Sequence, residues 1–227
     1  MSVTLHPGTG LEDVARILWY GRRLGPRAWG PDLPAEDDMA GISEFSSELG
    51  ELFGLLNSRG IRHMLVGGVA MLRYVEGRNT EDIDLVLSVT ALPLMPEISI
   101  SDRNPDFARG RFKGIGVDLL LTENPVYQIA MDQYAAGCEF GGIEVPCATP
   151  NGLIFLKLYA LPALYRAGNF QRAILYENDI AMLMQRYKPE IAPLLEAVKP
   201  YLATPEHDEL TTIVAEITAR LARMEKR

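Results

Sequence analysis

The amino-acid sequence predicts an α/β fold, in which a small mixed β-sheet with helices on one side precedes a helical C-terminal domain. In the first two-thirds of the chain, short apolar runs that alternate as strands do are interleaved with helical segments and glycine turns. In the last third, the apolar residues recur only at helical spacing, and prolines separate the helical segments. The expected domains are an N-terminal helix and linker at 1–40, an α/β domain at 41–148 and a helical domain at 149–227.

The elements of the α/β part follow from apolar spacing and from the positions of glycine and proline. A helix is expected at 10–23, a loop at 25–40, and a second helix that ends near Gly60. The segment IRHMLVGG predicts a buried strand with a glycine turn, VAMLRYVEG predicts a helix, and EDIDLVLS predicts an alternating strand. Residues 91–105 are rich in Pro and Asp and are expected to form a loop.

The remaining segments complete the sheet and the helical part. FARGRFKGIGVDLLLT predicts a β-hairpin, PVYQIAMDQYAAG a helix, and CEFGGIEVPCAT a hairpin that turns at Gly141-Gly142. Helices are then expected at 149–167, 172–187, 189–203 and 205–226.

Composition and charge exclude several classes of protein. With 227 residues, of which 48% are hydrophobic, the chain can bury a core. The net charge of −8 argues against a broad, nonspecific grip on nucleic acid. Residues 1–149 hold 12 basic and 21 acidic side chains, a balance of −9, whereas residues 150–227 hold 10 and 9, a balance of +1. The acidic load therefore lies in the α/β part.

Two further features set the expected compartment. Glu12, Asp13 and Arg16 interrupt any signal-peptide pattern at the N-terminus, and no apolar run approaches the ~18 residues of a membrane span. Cys138 and Cys147 match no metal-binding spacing and are interpreted as buried thiols of a reducing compartment. We therefore expect a cytoplasmic protein without a membrane partner.

The strand EDIDLVLS carries the strongest functional signal. Because strand side chains alternate, Asp82 and Asp84 point the same way while Ile83 and Leu85 enter the core. Two carboxylates less than ~7 Å apart on one face repel each other. Oxygen ligands favour magnesium or manganese, so a divalent cation between these carboxylates is one interpretation. The alternative is an edge strand whose acids simply face water.

A third acid, Asp118, lies in the apolar strand GVDLL. If that strand neighbours the strand of Asp82, three acids converge as two-metal phosphoryl transfer requires. Otherwise Asp118 is a surface acid beside a turn. Gly67 and Gly68 fit a strand-to-helix turn whose backbone amides approach phosphate oxygens.

The string LVGGVAMLRYVEGRNTEDIDLVLS resembles the nucleotidyltransferase superfamily, in its minimal polymerase-beta-like form, whose signature is a glycine pair, a short helix and a Dx[DE] strand. The arrangement of Arg78, Thr80 and Asp82-Ile83-Asp84 is most similar to the AbiEii-type branch, which includes toxins of bacterial toxin–antitoxin and phage-abortive systems. The resemblance covers about residues 61–121.

The helical part resembles the same superfamily at two positions. NGLIFLKLYA, with Lys157, is similar to its lysine-bearing helix, and Asp179 is similar to its downstream aspartate. Two departures stand out: many members have serine where this chain has Gly68, and relatives of the AbiEii type have more basic residues around the downstream aspartate.

The resemblance implies transfer of a nucleoside monophosphate from a nucleoside triphosphate to an acceptor hydroxyl, with magnesium or manganese as cofactor and the nucleotide in a cleft between two domains. The implied catalytic and metal-binding residues are Asp82, Asp84 and Asp118, and the implied nucleotide-binding residues are Gly67, Gly68, Arg78, Lys157 and Asp179. Structural alternatives stay open for three of these. Arg78 could anchor the Asp82 strand, Lys157 could extend to water, and Asp179 could balance Arg172 or Lys157.

The acceptor is left open by the sequence. The resemblance favours an RNA end such as tRNA, in a toxin-like role with a possible antitoxin partner. The acidic charge suits a basic small molecule of the aminoglycoside kind, and a protein side chain is a third possibility. A catalytically inactive, nucleotide-binding regulatory module is the non-enzymatic alternative. A basic group upstream of Asp118 is either a solvated face or a guide for triphosphate or RNA, and it consists of Arg103, Arg109, Arg111 and Lys113.

Overall fold

A seven-stranded mixed sheet forms the centre of the first of two compact structural units, and this confirms the α/β fold class. The computed structural model describes residues 10–24, 36–75 and 80–225. The first unit comprises Met1–Met131 and Ala135–Ala148, and the second comprises Asp132–Tyr134 and Thr149–Arg227. The strands are β1 (His63–Val66), β2 (Asp82–Leu87), β3 (Ile98–Arg103), β4 (Phe107–Phe112), β5 (Ile115–Leu121), β6 (Ala135–Phe140) and β7 (Ile143–Ala148).

The strand order is β3-β4-β5-β2-β1-β7-β6. β2 runs parallel to β5 and β1 runs parallel to β7, whereas the other neighbouring strands are antiparallel. Because parallel neighbours need a long connection, β2 and β5 meet only after the chain has formed β3 and β4 between them in sequence. This order places β5 between the β2 strand and the β4 strand.

The helices of the α/β part form largely where their apolar periodicity predicts them. They are α1 (Leu11–Leu24), α2 (Glu36–Ser58), α3 (Gly67–Leu72) and α4 (Pro125–Gln133). α1 packs against α2, where the rings of Trp19 and Phe45 meet edge to face with centroids 5.6 Å apart. The loop predicted at 25–40 is wrong in its last part because α2 already begins at Glu36, and residues 25–35 lie outside the described residues.

The loop predicted at 91–105 is also wrong. Val89–Leu94 form a 3₁₀ helix, and β3 follows as a strand at the edge of the sheet. Ile98 is the one buried side chain of β3, because an edge strand is held by backbone hydrogen bonds to a single neighbour. Such a strand needs no apolar alternation, so the pattern that reveals a half-buried strand is missing.

The predicted hairpin and the predicted thiols are confirmed in β6 and β7. Gly141 and Gly142 form the turn with φ values of +56° and +82°, the conformation that favours glycine in two-residue hairpins. Cys138 and Cys147 are free and buried.

The second unit is helical, as predicted. Its helices are α5 (Pro150–Arg166), α6 (Phe170–Tyr187), α7 (Ile191–Val198) and α8 (Thr204–Glu225), with a 3₁₀ turn at Lys199–Tyr201. α5 begins at Thr149, whose hydroxyl accepts a hydrogen bond from the amide of Gly152, and it packs against α6, α7 and α8. Across residues 10–24, 36–75 and 80–225, none of the helices is both long enough and apolar enough to cross a membrane.

A substitution at Leu85 tests whether the buried apolar side chains of β2, the strand of Asp82 and Asp84, stabilise the fold. It has no exposed surface, so we expect Leu85→Ala to lower the free energy of unfolding by about 2–5 kcal/mol. The matched control is Leu94→Ala in the same unit, because Leu94 is 53% exposed and its loss should change stability by less than about 0.5 kcal/mol. Urea-induced unfolding measures both, and equal losses would contradict the assignment.

Candidate active site

Asp82 and Asp84 lie on one face of β2, as the alternation predicts. Both residues are half-buried, whereas Ile83 and Leu85 between and after them are fully buried. The strand therefore presents two carboxylates on one side and core residues on the other.

Asp118 lies directly beside this pair. β5 runs parallel to β2 with Asp84 and Asp118 as register partners, and Gly116 is the partner of Asp82. Partners in neighbouring strands point to the same face, and neighbouring strands are ~4.8 Å apart. The adjacency that the sequence could only assume is thus present. We call Asp82, Asp84 and Asp118 the carboxylate cluster.

Two glycines leave the space that the cluster occupies. A Cβ atom on Gly67 would overlap the carboxylate of Asp84, and a Cβ atom on Gly116 would overlap the carboxylate of Asp82. Gly67 also has a φ of +63°, which favours glycine, and it follows Val66, the register partner of Asp84 in β1. Any larger residue at 67 or 116 would therefore push a carboxylate aside.

Gly68 is matched by Thr80 in the same way. A Cβ atom at residue 68 would overlap the hydroxyl of Thr80, and that hydroxyl donates a hydrogen bond of 3.2 Å to the backbone oxygen of Asp82. Although residue 68 has no hydroxyl of its own, a hydroxyl lies at the position toward which its side chain would point. The sequence includes Thr80 in the family-like arrangement, but it gives no sign of this contact.

Arg109 contacts the cluster at Asp118. Its Nε and one terminal nitrogen donate hydrogen bonds to the two oxygens of Asp118, each 2.7 Å long. Its hydrogen bonds to Asp118 are the largest cause of a raised guanidinium pKa, and the charges of Asp82 and Asp84 raise that pKa further. The side chain of Asp118 is 4% exposed and that of Arg109 is 51% exposed. A half-exposed cation therefore covers a buried anion.

The other three members of the predicted basic group have no described bond to the cluster. Arg111 donates to the backbone oxygen of Gly114, and Lys113 forms an ion pair with Glu51 of α2. Arg103 is exposed on the edge strand β3. Two of the four residues, Arg109 and Lys113, are therefore paired with carboxylates.

Lys157 and Asp179 lie in the second unit and pair with each other. Lys157 Nζ is 2.8 Å from an Asp179 oxygen, both side chains are buried, and the ammonium lies 4.1 Å from the centroid of the Tyr176 ring. This is the structural alternative that the sequence left open for Asp179. The predicted role of both residues in nucleotide binding stays a prediction, and Arg78 lies outside the described residues.

The cluster fits a hard divalent cation by its chemistry. All its donors are carboxylate oxygens, which magnesium and manganese prefer. Within the described ranges, no group of three His, Cys, Asp or Glu side chains is already arranged around one point. Both oxygens of Asp118 are bonded to Arg109 instead. A metal ion at Asp118 would therefore share these oxygens with Arg109 or displace it.

Comparison with known proteins finds similarity to solved structures only. No protein family model and no curated protein matches the chain. Similar solved structures are nucleotidyltransferase-like proteins. An antigenic nucleotidyltransferase-like protein from Paracoccidioides brasiliensis is 17% identical with a TM-score of 0.48, over 79% of this chain and 89% of its own.

The antibiotic-resistance factor ANT(2'')-Ia is similar in two structures. Its solution structure is 11% identical with a TM-score of 0.46, over 79% of this chain and 96% of its own. Its crystal structure in complex with adenylyl-2''-tobramycin is 10% identical with a TM-score of 0.45, over 77% and 97%. At these scores the likeness assigns no activity to the present chain.

Gly67 and Gly60 form a matched pair for testing the space beside Asp84. Both have a φ of +63°, so alanine at either position costs about 1–2 kcal/mol of backbone strain. A Cβ atom at Gly60 meets nothing within 4 Å, whereas one at Gly67 overlaps Asp84. We expect Gly67→Ala to lower the free energy of unfolding clearly more than Gly60→Ala in urea titrations. Equal losses would show that the carboxylate moves aside without cost.

The Lys157–Asp179 pair predicts a non-additive double variant. Lys157→Met leaves a buried carboxylate without its cation and should cost about 3–5 kcal/mol in the free energy of unfolding. Combining it with Asp179→Leu should recover much of that loss, as thermal and urea unfolding would show. A double variant as unstable as Lys157→Met alone would contradict this. If Lys157 also binds triphosphate, the folded double variant should lose nucleotide affinity.

Proposed function

We propose that this chain is a nucleotidyltransferase that moves a nucleoside monophosphate from a nucleoside triphosphate to an acceptor hydroxyl. One observation carries the proposal: β2 and β5 hold Asp84 beside Asp118, with Asp82 on the same face of β2 and Gly67 against Asp84. Carboxylates on adjacent strands of one sheet supply the oxygen ligands that metal-assisted phosphoryl transfer needs, and these lie within the segment that resembles the superfamily.

The residues of the cluster take distinct roles in this proposal. Asp82 and Asp84 would hold magnesium or manganese, and Asp118 would join them on the acceptor side and accept the proton of the attacking hydroxyl. A bound divalent cation would activate the acceptor oxygen and offset charge on the triphosphate. The acceptor oxygen forms a bond to the α-phosphorus, the bond from that phosphorus to the bridging oxygen breaks, and pyrophosphate leaves with the electron pair.

The turn beside the cluster would bind the outgoing phosphates. In this proposal the backbone amides of Gly67 and Gly68 donate to phosphate oxygens, and the hydroxyl of Thr80 stands in for the serine that Gly68 replaces. The overlap between a Cβ atom at residue 68 and the Thr80 hydroxyl supports this substitution.

The acceptor we favour by resemblance is an RNA end such as tRNA, in the toxin-like role of the AbiEii branch and with a possible antitoxin partner. A basic small molecule of the aminoglycoside kind is the second candidate, and the structure offers a specific reason for it. Arg109 and Lys113, which could have guided RNA, are already paired with Asp118 and Glu51. This leaves Arg103 and Arg111 to attract RNA, whereas the acidic residues around the group suit a cationic acceptor.

The non-enzymatic alternative is a catalytically inactive regulatory module that binds nucleotide. The pairing of Asp118 with Arg109 favours it to the extent that this pairing persists when nucleotide binds. Nucleotide binding without release of pyrophosphate would identify that case.

The test is magnesium-dependent transfer of label from each of the four α-labelled nucleoside triphosphates to total tRNA and, separately, to a metabolite extract. Asp84→Asn should reduce transfer by more than about 100-fold, since it removes a charge from the cluster. Asp106→Asn is the matched control, because Asp106 is exposed in the β3–β4 turn of the same unit and should leave transfer unchanged. Transfer by Asp84→Asn at the wild-type rate would overturn the proposal, and the labelled fraction identifies the acceptor class.

A further inference from the structure

Arg109, Asp118 and Asp84 form a row across three adjacent strands. Arg109 of β4 is the register partner of Asp118 in β5, and Asp118 is the register partner of Asp84 in β2. The row arises from backbone pairing and does not depend on a chance side-chain conformation. The backbone of Arg109 thus lies on the β4 side of Asp118, and that of Asp84 lies on the β2 side.

The geometry of the Arg109–Asp118 contact is that of a strong ion pair. Two parallel hydrogen bonds of 2.7 Å join the guanidinium to both carboxylate oxygens, the forked arrangement that arginine and carboxylates form. The guanidinium also packs against the ring of Phe107, 5.6 Å from its centroid. A structural role alone would account for such a pair in isolation.

The surroundings indicate more than a structural role. Asp118 is buried beside the half-buried Asp84, and a nearby cation offsets the repulsion between two adjacent carboxylates. Arg109 is a cation that offsets this repulsion, and it engages both oxygens of Asp118, the carboxylate that would join Asp82 and Asp84 in holding a divalent cation. Arg109 and a divalent cation would therefore both bind the carboxylate of Asp118.

We propose that Arg109 is a resident counter-cation of the carboxylate cluster that competes with the divalent cation for Asp118 and is released from it when the cation binds. This inference rests on the proposed function, because it takes the cluster as the metal site. Arg109 is then a positioning residue that acts through Asp118. Its half-exposed side chain has solvent into which it can move. Metal affinity is consequently set by the strength of the arginine pair as well as by the three acids.

The experiment titrates the metal-free protein with Mn²⁺ and follows free Mn²⁺ by electron paramagnetic resonance. Arg109→Gln removes both the charge and the fork, and it should bind Mn²⁺ at least about tenfold more tightly than wild type. Arg109→Lys keeps the charge without the fork and should lie between the two. Arg111→Gln is the matched control, because Arg111 lies two residues along the same strand and donates to Gly114 instead.

Stability supplies the second readout. Without metal, Arg109→Gln should melt at a lower temperature than wild type, because the carboxylates lose their counter-charge. Added Mn²⁺ should raise its melting temperature more than that of wild type, by linkage between binding and folding. An arginine with a purely structural role would lower the melting temperature without this larger response to Mn²⁺.

The outcomes separate this inference from the proposed function. If wild type and Arg109→Gln bind Mn²⁺ equally, the competition is overturned while the metal site stands. If Arg111→Gln tightens binding as much as Arg109→Gln, general charge explains the effect and the competition is again overturned. If no variant binds Mn²⁺, both proposals fall. Should Arg109→Gln not fold, Arg109→Lys decides, because wild-type affinity in that variant overturns the competition.

Discussion

The parallel pairing of β2 with β5 is the interaction on which the rest of the first unit depends. It sets Asp84 and Asp118 side by side, where each negative charge raises the free energy of the other. The surrounding chain relieves this strain in two ways. Glycine at 67 and 116 leaves room for the carboxylates to take their positions, and Arg109 supplies a positive charge from the next strand. The register of β2 with β5 thus explains why glycine occupies positions 67 and 116 and arginine occupies position 109.

The opposite face of the same two strands explains why that register holds. Ile83, Leu85, Val117 and Leu119 have no exposed surface, and each such side chain contributes roughly 1.5–3 kcal/mol by leaving water. A slip of one residue would turn these side chains outward and the carboxylates into the core. Burial of these apolar side chains therefore fixes the alignment of the acids on the opposite face.

Much of this arrangement could be predicted from the sequence, because it depends on alternation along a strand. Alternation alone was enough to predict that Asp82 and Asp84 lie on the same face of their strand. Asp118 required the assumption that its strand lies beside β2, since strand order is decided by tertiary packing. Its pairing with Arg109 was within reach, because counting outward from a two-residue turn at 113–114 sets the two opposite each other. The edge strand β3 was beyond reach, because Ile98 is its one buried side chain.

Contacts made through space by residues in different elements could not be predicted from spacing, and Gly68 with Thr80 is the instructive case. The side chain of Thr80 fills the volume that a side chain at residue 68 would need, so a substitution at either position constrains the other. A hydroxyl can be supplied there from residue 68 at the start of α3 or from residue 80, two positions before β2, but not from both. Serine at residue 68 would therefore require a smaller residue than threonine at residue 80. The residue type allowed at position 68 of this turn therefore depends on which side chain occupies position 80, and it cannot be judged from position 68 alone.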